Sequence, residues 1–294
     1  MRPLVMGVLN VTPDSFSDGG NFLDTDRAIE HGLDLIAAGA DVVDVGGEST
    51  RPGAGPVAED EELRRVVPVV AELSGKVRVS VDTTKEAVAL ASLEAGATLV
   101  NDISASLYEV AAASGAGWVA MHMRGVPTTM QSDPRYEDVV AEVHGFLLDR
   151  AATAASAGVT EIWLDPGIGF GKTVEHNVTL LRHLPALVSR GFPVVVGTSR
   201  KSFLGKIAPA SDGSVAPVNE RLEASIATAT WAMLAGAAMV RVHDVAQTVH
   251  AATLVGSTRL DGEREEQGSE TDNRRQNAGI DSRGGGEVHP GARR

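Results

Sequence analysis

The chain has 294 residues, 43% of them hydrophobic, which is enough to bury the core of one large or two modest domains. Its formal net charge of −13 argues against a nucleic-acid partner, because such binding needs a basic surface that displaces counterions. The absence of cysteine excludes disulfides and a thiolate nucleophile and agrees with a cytoplasmic location, while no apolar stretch has the length of a membrane span or a secretion signal.

The first predicted element is the apolar run Leu4–Asn10, which ends where a loop rich in glycine, proline, serine and aspartate begins. Its last residue is polar, as expected of a buried strand that delivers a side chain to its C-terminal end. Seven later apolar runs follow the same pattern, and they close at Asp44, Asp82, Asn101, His122, Asp165, Ser199 and His243. The sequence therefore predicts eight strands, each closed by a polar residue.

Apolar residues at helical spacing predict a helix after each strand. The predicted helices are Asp26–Ala38, Glu59–Leu73, Lys85–Ala95, Leu107–Ser114, Glu137–Ala157, Val178–Arg190, Arg221–Ala235 and Asp244–Val255. Five of the helix-to-strand junctions contain a glycine, which suits the left-handed conformation just beyond a helix; these are Gly39, Gly96, Gly115, Gly158 and Gly236. The chain is therefore predicted to repeat one βα unit.

Eight apolar strands alternating with helices favour a closed (β/α)8 TIM barrel over an open sheet, and we assign residues 1–259 to it. The segment 260–294 has almost no large apolar residues and is predicted to be a disordered tail. Parallel strands share one C-terminal rim, so their polar ends should form one site. That site is predicted to contain Asn10, Asp82, Asn101, Asp165, Lys201, Arg241 and His243.

Eight motifs in register resemble the dihydropteroate synthase family, the folate-pathway enzymes that sulfonamides inhibit. They are NVTPDSFSDGG, DVGGESTRPG, VDTTK, ND, MHMRGVPTTMQ, LDPGIGFGKTVEHN, SRKSFLG and RVHD. The resemblance implies a barrel, usually a homodimer, that joins 6-hydroxymethyl-7,8-dihydropterin pyrophosphate to p-aminobenzoate with release of pyrophosphate. It also implies a Mg²⁺ cofactor and competitive inhibition by sulfonamides.

Within this resemblance, Asp82, Asn101, Asp165 and Lys201 are the expected pterin-binding residues. The guanidine-like edge of a pterin donates several hydrogens, which carboxylates and amides accept, while a lysine can meet the acceptors of the ring. An isolated aspartate at a strand end can instead cap the next helix.

Arg241, His243 and Asn10 are the expected pyrophosphate-binding residues. Arg241 and His243 stand two apart on the last strand, so both side chains point the same way. Asn10 is the expected protein ligand of Mg²⁺, and the ion should arrive bound to pyrophosphate because one neutral oxygen is a poor metal site. Arg241 could alternatively form a salt bridge at the barrel rim.

The p-aminobenzoate site is expected to use residues from three loops: Thr50, Arg51, Pro52, Phe170 and Ser202. The alternative for Phe170 is core packing. Asp18, on a glycine-rich loop, is the expected stabiliser of the cation that develops when pyrophosphate leaves, and it could equally be an ordinary turn residue. Asp18, Lys201 and Arg241 are therefore the predicted catalytic residues.

Three other functions remain open at the level of sequence. A pterin-dependent methyltransferase of the same barrel family would share the pterin carboxylates but would need no SRKS or STRP motif. A non-catalytic or sulfonamide-insensitive paralogue of the synthase would keep all the motifs. A Schiff-base aldolase would use Lys201 as its nucleophile.

Overall fold

A computed structural model describes residues 1–12, 21–49 and 55–257 of the chain, and of residues 21–24 it describes the backbone alone. The predicted tail, Asp18, Thr50, Arg51 and Pro52 lie outside the described residues. Residues Arg2–Val255 form one compact unit.

The sheet has eight strands: β1 (Leu4–Asn10), β2 (Val42–Gly46), β3 (Arg78–Asp82), β4 (Leu99–Asp102), β5 (Gly117–Met121), β6 (Ile162–Asp165), β7 (Val195–Val196) and β8 (Met239–Val242). The strand order is β6-β5-β4-β3-β2-β1-β8-β7, and every ladder is parallel. The edge strands β6 and β7 meet through a parallel bridge between Leu164 and Val194. The sheet thus closes, and the predicted TIM barrel is confirmed.

The helices are α1 (Asn21–Ala37), α2 (Glu59–Leu73), α3 (Glu86–Glu94), α4 (Tyr108–Ser114), α5 (Val139–Ser156), α6 (Val174–Arg182), α7 (Leu184–Val188), α8 (Ser202–Ile207), α9 (Leu222–Leu234) and α10 (residues 245–257). The prediction of one helix over Val178–Arg190 is wrong. The side chain of Thr173 accepts from His176 N and starts α6 earlier, and Pro185 lies in the first turn of the separate helix α7.

The five junction glycines predicted to be left-handed all have positive φ values, between 71° and 110°. The outward faces of the strands pack with the helices in the main core. The barrel interior holds a second, smaller cluster, formed by Met6, Val42, Leu99, Val119, Trp163, Val195 and Met239. No helix among the described residues is long and apolar enough to cross a membrane.

The barrel interior changes from apolar to charged toward the C-terminal ends of the strands. On β2, Val42 is followed two residues later by Asp44, and on β8 Met239 is followed by Arg241. Residues two apart on a strand share a face, so both pairs point into the barrel. Asp44 was predicted to end its strand, but β2 continues to Gly46 and places this carboxylate inside the barrel.

Candidate active site

Arg241 forms the centre of the charged layer at the mouth of the barrel. Its Nε donates to Asp44 Oδ2 at 2.5 Å and its Nη2 donates to Asp82 Oδ2 at 2.6 Å. Burial acts to lower the pKa of Arg241, but Asp44 and Asp82 outweigh burial and hold this pKa above its ordinary value. The salt bridge considered as an alternative role for Arg241 is therefore present in the structure.

Asp44 is a site residue that the sequence analysis did not select. It is fully buried, and its Oδ2 accepts both from Arg241 and from Asn101 Nδ2 at 2.9 Å. Its other oxygen, Oδ1, and the neighbouring Ser80 Oγ are buried without a hydrogen-bond partner among the described residues. An aspartate in the middle of the apolar run VVDV was the available signal, because a buried carboxylate needs a charged partner.

Asp165 and Lys201 form the second charged group of the site. Asp165 ends β6, is buried, and accepts from Gly167 N at 2.7 Å through Oδ1. Lys201 Nζ donates to Ile168 O and lies 4.5 Å from the centroid of the Phe170 ring. Asp165 and Lys201 therefore lie near each other as predicted, but Lys201 is not at a strand end, because β7 ends at Val196 and Lys201 immediately precedes α8.

Burial shifts the pKa values of three of these groups toward their neutral forms. It raises the pKa of Asp82 to about 7, with Arg241 opposing this shift and Asp44 adding to it. It also raises the pKa of Asp165, with Lys201 opposing. Burial lowers the pKa of Lys201 to about 8, with Asp165 opposing. Such shifts at a barrel mouth are typical of functional sites.

The residues expected to bind pyrophosphate lie on the same rim. Asn10 is in register with Gly46, which in turn is in register with Asp82, so Asn10 lies level with the end of β3. His243 follows β8, and its Nδ1 lies 3.0 Å from Ser199 Oγ. Both side chains are partly exposed, as a ligand-binding role requires.

The described residues of the expected p-aminobenzoate site are Phe170 and Ser202. Phe170 is partly exposed and belongs to neither hydrophobic cluster, so the alternative of core packing does not hold for this ring. Ser202 begins α8 and is exposed.

The segment that contains Glu48, just before Thr50, is held by an ionic cluster around one buried carboxylate. The Lys85 ammonium donates to Glu48 in this segment and to the fully buried Glu62 of α2. Thr83 Oγ1 also donates to Glu62, at 2.7 Å. Since Glu62 is out of water, both of its partners compensate its charge.

Comparison with known proteins places this site in a family. The family model described as pterin binding enzyme matches residues 6–243. The dihydropteroate synthase of Mycobacterium leprae is 47% identical over 262 residues, which are 86% of this chain and 92% of that protein.

Solved structures agree with this relationship. The Yersinia pestis dihydropteroate synthase in complex with a sulfonamide drug is 45% identical with a TM-score of 0.81, over 88% of this chain and 95% of that chain. The Xanthomonas albilineans dihydropteroate synthase with 4-aminobenzoic acid is 44% identical with a TM-score of 0.81, over 88% and 93%. These relatives are synthases, which does not favour the alternative of a pterin-dependent methyltransferase. The chain belongs to the dihydropteroate synthase family of pterin binding enzymes, transferases of folate biosynthesis.

Proposed function

We propose that Asp82, Asn101, Asp165 and Lys201 bind the pterin of 6-hydroxymethyl-7,8-dihydropterin pyrophosphate, which the chain condenses with p-aminobenzoate. The observation that carries this proposal is the convergence of these acceptors and one ammonium on the mouth of a closed barrel. Two buried carboxylates and an amide oxygen suit the donor edge of a pterin, and Lys201 suits its ring acceptors. Strands hold Asp82, Asn101 and Asp165, and the start of α8 holds Lys201, before the ligand arrives.

Arg241, His243 and Asn10 are proposed to hold the pyrophosphate. A guanidinium is suited to phosphate oxygens, and its ion pairs with Asp44 and Asp82 already aim it across the barrel mouth. When the pterin takes Asp82 as its acceptor, Arg241 keeps Asp44 as a partner and gains the phosphates.

A magnesium ion fits this site only together with the substrate. Among the described residues no group of three His, Cys, Asp or Glu side chains could hold a metal ion. The oxygen of Asn10 would hold an ion that is otherwise coordinated by pyrophosphate oxygens and water, which is the usual environment of Mg²⁺. Such an ion supplies positive charge to the leaving group.

The proposed reaction breaks the bond between the pterin methylene carbon and the pyrophosphate oxygen, and its electron pair leaves with pyrophosphate. The nitrogen lone pair of p-aminobenzoate forms the new C–N bond, and the nitrogen then loses a proton. Phe170 offers a face for the aromatic ring, and Ser202 a hydroxyl for the carboxylate. The proposed roles of Asp18, Thr50, Arg51 and Pro52 concern residues outside the described part of the chain.

The experiment that tests this function is an assay of pyrophosphate release that requires both substrates, with 7,8-dihydropteroate identified by mass. Asp165→Asn should abolish release because the pterin edge loses a charged acceptor. Asp41→Asn is the matched control, since Asp41 precedes the N-terminal end of β2 and pairs with Arg2. Release with either substrate alone, or an active Asp165→Asn enzyme, would contradict the proposal.

Sulfonamides are proposed to compete with p-aminobenzoate for the face of Phe170. Initial-rate measurements at several p-aminobenzoate concentrations should show that a sulfonamide raises the KM for p-aminobenzoate and leaves kcat unchanged. No inhibition at millimolar drug would identify the insensitive paralogue considered above.

The homodimer and the cytoplasmic location are also proposed. Support for a dimer comes from α9, where the side chains of Trp231 and Leu234 are 38% and 64% exposed. Analytical ultracentrifugation should give twice the monomer mass, and Leu234→Glu should lower it toward the monomer. The lack of cysteine is compatible with a reducing compartment, and cell fractionation tests the location.

A further inference from the structure

Lys172 is a buried cation for which the reaction described above has no role. It lies at the end of the loop between β6 and α6, and the residue is only 3% exposed. Its Nζ contacts four acceptors: His122 Nδ1 at 3.0 Å, His122 O at 3.2 Å, Gly167 O at 2.9 Å and Phe170 O at 3.1 Å. An ammonium out of water is costly unless it is compensated in this way.

His122 can be one of these acceptors because its ring is neutral. Burial, reinforced by the charge of Lys172, lowers the pKa of His122 to about 3. Burial also lowers the pKa of Lys172, to about 7, with the Asp165 carboxylate opposing this shift and the charge of Lys201 adding to it, so the ammonium form predominates below pH 7. The carbonyl oxygens act in the same direction as Asp165, because their negative ends face the ammonium.

The loop that Lys172 contacts cannot take this shape through ordinary residues. Gly167, Gly169 and Gly171 have left-handed φ values of 64°, 85° and 62°. A Cβ on Gly167 would lie 1.8 Å from His122 O, so the two backbones touch directly beneath the ammonium. Two carbonyl groups of this loop, those of Gly167 and Phe170, face the ammonium, and Gly167 O also accepts from Phe170 N at 3.1 Å. Phe170 O has the ammonium as its one donor among the described contacts.

The outer side of the same loop is held by neutral groups. Asn177 Oδ1 accepts from Gly169 N at 2.7 Å, and the hydroxyl of Tyr136 donates to Gly171 O at 2.9 Å. Neither group reaches the carbonyls of Gly167 and Phe170 that face Lys172. Among the described contacts, the ammonium alone joins these two carbonyls to the end of β5.

The groups positioned by this loop are those of the proposed active site. The Gly167 amide donates to Asp165, and Ile168 O accepts from Lys201. The Phe170 ring lies 4.5 Å from the Lys201 ammonium. A shift of this loop would therefore disturb Asp165, Lys201 and the Phe170 ring together.

We propose that Lys172 is a positioning residue whose ammonium acts as an internal cation, gathering the carbonyls of the β6–α6 loop and so fixing Phe170, Asp165 and Lys201 for reaction. The inference rests on the proposed function for its kinetic consequence. Its structural consequence, the ordering of residues 166–171, can be measured without any substrate.

The first test compares Lys172→Met with the unaltered chain and with Lys76→Met, a change of an exposed lysine just before β3 at the opposite end of the barrel. Hydrogen exchange with mass spectrometry at pH 6, where Lys172 is charged, should show lost protection of residues 167–171 in Lys172→Met only. The KM for p-aminobenzoate should rise, and kcat/KM should fall on the order of 10²-fold, because misplacement by about 1 Å has that effect. Lys172→Gln keeps two N–H donors without the charge and should behave like Lys172→Met. It replaces Lys172→Met in the comparison if that variant does not fold.

The second test separates charge from packing and exploits the absence of cysteine from the chain. Lys172→Cys is alkylated while unfolded and then refolded, so only position 172 reacts. Bromoethylamine gives a side chain of lysine's length that ends in an ammonium, and 1-iodopropane gives a neutral one of the same size. The aminoethyl form should regain loop protection and kcat/KM, and the propyl form should regain neither.

Equal activity and equal loop protection of the aminoethyl and propyl forms would overturn the inference, as would a fully active Lys172→Gln enzyme. The unaltered chain, carried through the same unfolding and alkylation, controls for damage. If the unaltered chain that has never been unfolded releases no pyrophosphate from the two substrates, the proposed function fails, and the exchange data still decide the role of Lys172.

Discussion

Arg241 Nη2 donates to Asp82 Oδ2 at 2.6 Å, which pairs a residue proposed to bind phosphate with a residue proposed to bind the pterin. Asp82 nevertheless retains a pKa raised to about 7, because burial and the nearby Asp44 outweigh this one cation. A carboxylate in this state is partly protonated near neutral pH. Its ionisation is therefore expected to be coupled to ligand binding.

The first prediction is that pterin binding releases a proton. At pH 6 a carboxyl group with a pKa of about 7 is mostly protonated, while the donor edge of a bound pterin requires the carboxylate form, so binding should release most of one proton. Calorimetric titration in buffers of different ionisation enthalpy measures this number. Asp82→Asn should reduce it to near zero, and the same absence of proton release in the unaltered chain would contradict the raised pKa.

The raised pKa of Asp82 also makes the stability of the chain without substrate depend on pH. Since burial raises the pKa of Asp82 in the folded chain from its ordinary value of 3.8 to about 7, the folded state holds the proton more tightly than the unfolded state. The contribution of Asp82 is therefore fully present below pH about 4 and is lost as the pH rises to about 7. Urea denaturation between pH about 4 and about 7 should show a free energy of unfolding that depends less on pH in Asp82→Asn than in the unaltered chain.

The second prediction concerns Asp44, which joins Arg241 to Asn101 through a single oxygen. Asp44→Asn keeps the shape of the side chain but removes the charge, so affinity for the pterin pyrophosphate should fall by about 1.5–3 kcal/mol, the usual value of a hydrogen bond to a charged group. Calorimetry measures the loss. Asp41→Asn, on the same strand segment but at the opposite end of the barrel, should leave the affinity unchanged.

The third prediction concerns Asp165, which accepts from the Gly167 amide and faces Lys201. If Asp165 accepts two hydrogen bonds from the pterin, Asp165→Ala should lower the affinity about 10²–10⁴-fold, at about 1.5–3 kcal/mol for each bond. Circular dichroism checks that the variant is folded. Unchanged pterin binding by a folded variant would remove Asp165 from the proposed site.

The sequence predicted those parts of the site that follow from local periodicity. Asp82, Asn101 and Asp165 close apolar runs, and parallel strands carry such ends to one rim. Asp44 was missed because its importance depends on Arg241, 197 residues away, and not on its position in the run. Lys172 was missed for the same reason, since a lysine after Gly-Phe-Gly resembles an exposed loop residue until His122, 50 residues earlier, packs on it.

Similar reasoning separates the helices that were predicted well from the one that was not. Glu59–Leu73 was predicted with its observed bounds because its apolar period is regular and proline stands only at Pro68, where Val69 and Val70 still face the core. The break between α6 and α7 depends on the Thr173 cap and on Pro185, signals that periodicity does not contain.

The fourth prediction tests the ionic cluster behind the segment at Glu48. Glu62→Gln removes a fully buried charge but leaves Lys85, which is partly exposed, paired with Glu48, so the free energy of unfolding should fall by about 1.5–3 kcal/mol, the usual value of a hydrogen bond to a charged group. Urea denaturation measures this change. Glu72→Gln is the matched control, since Glu72 pairs with Lys76 in solvent and should cost no more than about 0.5 kcal/mol.

The fifth prediction compares two left-handed glycines. Gly75 has a φ of +81°, and a Cβ added there would have no atom within 4 Å. Gly75→Ala should therefore lower the free energy of unfolding only by the strain of the left-handed conformation, about 1–2 kcal/mol. Gly167→Ala adds a clash, because its Cβ would lie 1.8 Å from His122 O. Backbone cannot yield as a side chain can, so the loop should move away from β5, and kcat/KM should fall on the order of 10²-fold or more. Urea denaturation and initial rates measure both variants, and equal behaviour of the two would show that contact between the β6–α6 loop and His122 is not needed for the site.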